Sequence, residues 1–265
     1  MKYIISSFIC FSFLVQGQKI DPLKVDSLNE YTQTKWVDSV YKSLSLNEKV
    51  GQLFMPMVFS EKDSLHYFQT LKLVKEQKVG GLIFSRGGPL EQSHWLNDFQ
   101  TQSTTPLLIA MDAEWGVAMR LDSVRPFPWS MTLGAVNDSL LLRKVGQRMA
   151  EQEKRLGIHY SFGPVLDINT NPNNPIIGNR SFGASKERVS RQALAIMRGH
   201  HDYGILTSGK HFPGHGDTAL DSHKTLPTID LSSKRIKSIE LEPYNRLIDA
   251  GLSSVMVAHL SVPSL

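Results

Sequence analysis

Cysteine is nearly missing from this chain: Cys10 is the single one among 265 residues. That excludes an intramolecular disulfide framework and any thiolate-rich zinc site. A dominant sign of charge is missing as well. The 29 Lys and Arg face 25 Asp and Glu, leaving a net +4 with no long basic run, so no nucleic-acid partner is expected. Long hydrophobic runs are also scarce. Residues 3–15 follow Lys2 as an apolar stretch shorter than the roughly 20 residues that a spanning helix needs. They give way to Gln16-Gly17-Gln18, which is the layout of a secretory signal. The expected organisation is a signal peptide at 1–17, an N-terminal extension at 18–44 and one domain at 45–265. Cleavage near Gly17 removes Cys10, which suits an exported protein, periplasmic or extracellular.

What the chain does contain, 41% hydrophobic and 20% charged residues, is enough for one sizeable core. Ser45 and Glu48 have the spacing of a helix capping box. Beyond them, six apolar, strand-like runs at 53–59, 81–84, 107–111, 160–168, 205–208 and 254–260 alternate with helical stretches near 64–78, 91–99, 139–156, 186–203 and 233–250. Apolar strands separated by helices are parallel strands buried on both faces, in a barrel or a doubly wound sheet. Four of the runs end in polar residues: Asp112 and Glu114, Asp167 and Asn169, Lys210 and His211, and His259. Polar groups from that many strand ends converge in a barrel, whereas an open sheet uses mainly its switch point. A TIM (β/α)8-type barrel takes eight strands, so one truncated after about six and C-terminally incomplete is expected.

Three segments carry chemistry. The first, residues 210–223, holds Lys210, His211 and His215 and closes on Asp221-Ser222-His223; Pro213, Gly214 and Gly216 make it a long loop leaving the fifth strand. Asp221 and His223 lie on one side of an extended loop, where a carboxylate can fix the imidazole tautomer for proton transfer. The same residues also fit a plain solvated loop. His211 and His215 have a zinc-pair spacing, but Pro213-Gly214 spoils the helical face it requires, and no metal or organic cofactor is implied. The second segment, residues 171–183, is stiffened by Pro172 and Pro175. It offers Arg180 as a fork of donors or as a structural pair. The third, residues 112–120, places Asp112, Glu114, Trp115 and Arg120 past a strand end. Acids beside an indole suit sugars, which present hydroxyls at their edges and apolar C–H faces; a simple ion pair between Asp112 or Glu114 and Arg120 is the other reading.

Lys210-His211-Phe212-Pro213-Gly214-His215-Gly216-Asp217-Thr218, followed by Asp221-Ser222-His223 and Leu226-Pro227, resembles glycoside hydrolase family 3 in its β-N-acetylhexosaminidase branch, from about Ser45 onward. The resemblance implies a TIM barrel and retaining hydrolysis of terminal β-linked N-acetylglucosamine, with cell-wall muropeptides as the usual substrate. It implies His223 as general acid/base assisted by Asp221, with Asp112, Arg120, Arg180, Lys210 and His211 contacting the sugar. The family's nucleophile is an aspartate after the seventh strand. Residues 254–265 hold no Asp or Glu, so it is expected beyond Leu265, with room for a further C-terminal domain. One departure stands out: the family often has Glu-Gly-Gly where this chain reads Glu114-Trp115-Gly116. The alternatives are a family 3 β-glucosidase, which generally lacks Asp-Ser-His, and a non-catalytic carbohydrate-binding module.

Overall fold

A computed structural model of the chain describes residues 30–219 and 226–265; the expected signal segment and the Asp221-Ser222-His223 element lie outside the described residues. Among the described residues, helices α1 (Glu30–Ser43) and α2 (Leu46–Gly51) come first. They are separate helices because Ser45 caps α2: its hydroxyl accepts from Glu48 N–H, and the Glu48 carboxylate accepts from Ser45 N–H at 2.8 Å. There follow β1 (Met57–Phe59), α3 (Ser64–Glu76), β2 (Gly81–Arg86), α4 (Pro89–Gln102), β3 (Leu108–Met111), α5 (Ser130–Gly134), α6 (Ser139–Arg155), β4 (Tyr160–Ser161), α7 (Lys186–His201) and β5 (Leu206–Phe212). The last part holds α8 (Ser233–Arg235), a π-helical turn Ile236–Glu240, α9 (Glu242–Asp249) and β6 (Ser254–Val257).

The six strands form one sheet in the order β1-β2-β3-β4-β5-β6, every neighbouring pair parallel. Strand order that follows chain order has no reversal and hence no switch point. It is the winding of a barrel wall, with all C-terminal strand ends on one rim. Helices cover the outer face through apolar positions at three- and four-residue spacing, such as Val189, Ala193, Ile196 and Met197 on α7, Leu142 and Met149 on α6, and Tyr244 and Leu247 on α9. A second cluster joins Val58, Leu82, Phe84, Ile109 and Met111 of the strands to Val74 of α3 and Trp95 and Phe99 of α4. No described helix is long and apolar enough to cross a membrane.

Several element boundaries differ from those read in the sequence, three of them for reasons that proline makes plain. The first strand begins only at Met57, because Pro56 has no N–H for the ladder. The fourth is two residues long, because Gly163-Pro164 interrupts it; Val165 rejoins β5 only as an isolated bridge to Lys210. The helix expected at 233–250 is split, with Pro243 in the first turn of α9 and the π-helical turn before it.

Helices α6 and α7 meet backbone to backbone. A methyl group on Gly199 would lie 2.3 Å from the Arg143 carbonyl oxygen, and one on Gly146 would lie 2.4 Å from that of Ile196. Gly199→Ala is therefore expected to destabilise the protein by about 2 kcal/mol, the overpacking cost outweighing a helix-propensity gain of about 1 kcal/mol. Urea unfolding checks the sign, since an unobstructed site would be stabilised instead.

Candidate active site

Side chains from β5 and from the loops after β3 and β4 meet at the C-terminal rim. Lys210, on β5, places Nζ 2.7 Å from both Asp112 Oδ1 and Glu114 Oε1 just beyond β3. Arg120 Nη2 donates to Asp112 Oδ2 at 2.6 Å. Arg180, from the turn Gly178–Arg180, grips Glu114 with two parallel bonds, Nε to Oε2 at 2.9 Å and Nη2 to Oε1 at 2.7 Å. Its Nη2 also lies 3.2 Å from His211 Nε2, while His211 Nδ1 lies 2.6 Å from Asp167 Oδ2. Because guanidinium only donates, this order of partners makes His211 Nε2 the acceptor and Nδ1–H the donor to Asp167.

All five sequence-predicted sugar contacts, Asp112, Arg120, Arg180, Lys210 and His211, therefore share one hydrogen-bonded network. Their exposure divides them. The side chains of Asp112, Arg120, Arg180 and His211 keep 25%, 24%, 19% and 17% of their surface, whereas Lys210 and Glu114 keep 2% and 1%. The first four are surfaces that a ligand can touch. Lys210 and Glu114 form the charged floor that orients them.

Electrostatics follow from this layering. Burial alone would raise the Glu114 pKa, but the Lys210 charge and the Arg180 hydrogen bonds outweigh it and hold it at about 2. Asp112 shows the same balance: burial pushes up, Lys210 and then Arg120 pull harder, and the carboxyl ends below its ordinary value. Both carboxylates are therefore fixed acceptors at neutral pH.

The expectation that Lys210 and His211 lie in a loop is corrected: β5 continues to Phe212, so both are held by the sheet, and the loop begins at Pro213. Sequence reasoning had placed Asp167 at a strand end without giving it a role. Here it is a buried hub, accepting from His215 N–H at 2.7 Å, from His211 N–H at 3.3 Å and from the His211 ring. Burial works against its charge, and the His211 ring and these amides hold its pKa below the ordinary value. The loop beyond is braced from the β4 side. Asn174 Nδ2 donates to the His215 carbonyl at 2.8 Å, and Thr170 Oγ1 donates to Asp217 at 3.0 Å. Past the undescribed residues, the chain is fixed again by Ile229 N–H donating to Ser261 O at 2.8 Å. Asp221 and His223 themselves lie outside the described residues, between these two anchors.

The two rings are used differently: His215 Nδ1 contacts Thr218 Oγ1 at 2.7 Å while His211 Nδ1 serves Asp167. Among the described residues no group of three or more His, Cys, Asp or Glu could hold a metal ion. His159 and His200 have structural partners. His159 Nδ1 accepts from Ile109 N–H at 3.1 Å, and His200 packs 3.6 Å from Glu153, where that carboxylate raises its pKa against the lowering effect of burial.

The model of the glycosyl hydrolase family 3 N-terminal domain matches residues 45–265. The chain belongs to that family. A β-hexosaminidase of Nitrosomonas eutropha is 36% identical over 197 residues, spanning 71% of this chain and 56% of that protein. A solved family 3 β-N-acetylglucosaminidase from Paenibacillus superposes with a TM-score of 0.76 at 37% identity, over 83% of this chain and 43% of that one. The β-glucoside phosphorylase BglX superposes with a TM-score of 0.82 at 28% identity, over 88% and 42%. The chain thus spans about half the length of these relatives or less.

Proposed function

We propose that the protein is an exported, retaining exo-β-N-acetylglucosaminidase that removes terminal β-linked N-acetylglucosamine, with cell-wall fragments, muropeptides among them, as its natural substrate. The observation that carries this reading is the network at the strand ends, in which four partly exposed polar side chains surround a buried Lys210–Glu114 floor. Carboxylate and guanidinium groups whose charges are already paired can accept from and donate to sugar hydroxyls without reorganising. The β-hexosaminidase and β-N-acetylglucosaminidase relatives support the choice of sugar.

In this reading Asp112, Arg120, Arg180 and His211 hold the terminal ring, and Lys210 keeps Asp112 in place. Asp221 orients His223, which protonates the bridging oxygen as a carboxylate beyond Leu265 attacks the anomeric carbon. The bond to the leaving sugar breaks and a glycosyl-enzyme forms. His223, now neutral, then takes a proton from water, which displaces the carboxylate and restores the starting configuration.

The test is turnover by the full-length protein on matched aryl β-N-acetylglucosaminide and aryl β-glucoside, with the product anomer read by NMR. A kcat/KM on the acetamido sugar higher by about 100-fold, with β product formed first, is expected. Preference for the glucoside would support the β-glucosidase reading instead. Addition of inorganic phosphate separates hydrolysis from the phosphorolysis of the BglX neighbour: release of sugar phosphate as the main product would overturn hydrolysis. Sugar binding without turnover would leave a carbohydrate-binding module.

A further inference from the structure

The network above accounts for Glu114 but not for the residue after it. Trp115 stacks on Trp129, with ring centroids 4.2 Å apart and planes at 24°. Core packing does not explain the pair. Ala113, Val117 and Leu121 around Trp115 enter one hydrophobic cluster, Phe127 and Leu133 around Trp129 enter the other, and neither indole belongs to either. Trp129 instead keeps 44% of its surface exposed.

The local backbone is built to hold the rings in this position. Phe127 N–H donates to the Trp115 carbonyl at 3.2 Å, tying the two ends of the loop together. Gly116 follows at φ +84°, and a methyl group there would lie 2.7 Å from the Phe127 ring, so only glycine allows this closure. Trp129 immediately precedes α5, which packs on the turn Gly178–Arg180 that supplies Arg180 to the site. Both indoles thus belong to the β3–α5 connection, which leaves the same strand-end rim and also carries Asp112, Glu114 and Arg120.

We propose that Trp129, backed by Trp115, is the platform for a second pyranose ring, the one on the leaving side of the scissile bond, and so selects glycan substrates over simple alkyl glycosides. This deepens the hydrolase reading and rests on it. Hydroxyl edges call for the paired charges of Asp112, Arg120, Arg180 and His211, while the C–H face of a pyranose calls for a flat apolar surface, and the β3–α5 connection carries the indole pair together with Asp112 and Arg120. A stacked indole is already ordered, so little conformational entropy is lost when a sugar docks on it.

Trp129→Ala and Trp129→Phe in the full-length protein test this, with β-1,4-linked N-acetylglucosamine disaccharide and methyl β-N-acetylglucosaminide as substrates. For Trp129→Ala the disaccharide kcat/KM is expected to fall about tenfold more than that of the methyl glycoside, mainly through KM, with most of the loss restored in Trp129→Phe. Equal losses on both substrates, or none on the disaccharide, would overturn the proposal. Calorimetric affinities for the disaccharide and for free N-acetylglucosamine keep the two readings apart. A wild-type protein that cleaves neither substrate yet binds the disaccharide more tightly, with the margin lost in Trp129→Ala, would sink the hydrolase and leave the platform. Absence of that margin in the wild type would sink the platform.

Discussion

Lys210→Met is expected to cost about 3 kcal/mol of stability and to weaken sugar binding by about 100-fold or more, although Lys210 has almost no surface of its own. Methionine fills nearly the same volume, so the change removes charge and leaves packing largely intact. Its absence leaves Asp112 and Glu114 facing each other, each with a single guanidinium partner, Arg120 and Arg180 respectively. Mutual repulsion then turns Asp112 away from the ligand-facing position it shares with Arg120. The pH dependence makes the assignment specific. Glu114 is held at about 2 when folded against a usual 4.5, so its stabilisation is complete above pH 4.5 and is lost as the pH falls toward 2. In Lys210→Met the chief lowering influence is gone and burial still acts, so that acid limb should shrink. Chemical denaturation between pH 2 and 7, with Glu114→Gln as a second variant lacking the same limb, measures it. An unchanged limb in Lys210→Met would show that Lys210 does not hold Glu114. Should Lys210→Met fail to fold, Lys210→Met with Glu114→Gln removes the unshielded acid, and recovery of folding would support the same pairing.

The alternation of apolar runs and amphipathic stretches located every strand, because a strand buried on both faces must be apolar wherever it lies. What sequence could not supply was where hydrogen bonding ends. Pro56 and Pro164 shorten β1 and β4 by removing donors, and β5 extends past the end of β4 because β6 pairs with it at Lys210 and Phe212 and Val165 bridges Lys210 from the other side. The site followed the same division. Its members were legible as polar residues at strand ends, but their pairings join residues far apart in the chain: Lys210 Nζ and Asp112 are 98 positions apart, and Arg180 and Glu114 are 66. Of the two readings left open at Asp112 and Arg180, the ion pair is what the structure shows, and each residue also keeps an exposed edge. Asp167 was the larger omission. An acid closing an apolar strand can be seen in sequence, yet only the fold reveals that three N–H groups point at it. Trp115 was legible as a departure from the family pattern, whereas its partner Trp129 lies 14 positions on and carried no signal of its own.

His223→Ala is expected to lower kcat on a disaccharide by about 1,000-fold, the range associated with loss of a positioned general acid. In the proposed mechanism the two chemical steps depend on that imidazole differently. In the first, it gives a proton to the departing oxygen, and a leaving group acidic enough to depart as an anion needs no such proton. In the second, it accepts a proton from the attacking water, whatever the first leaving group was. A dinitrophenyl N-acetylglucosaminide should therefore form the glycosyl-enzyme at close to the wild-type rate in His223→Ala while hydrolysing it slowly. That gives a burst of phenolate stoichiometric with enzyme, followed by slow turnover. Asp221→Asn should reproduce the pattern more weakly, since it leaves the ring in place and removes only the charge that sets its tautomer and stabilises its protonated form. Undiminished turnover of the disaccharide by His223→Ala would remove His223 from the chemistry and transfer the proton to another group on the rim. His211 is the first to test, through His211→Gln, because its ring sits between Asp167 and Arg180 with part of its surface open to a ligand.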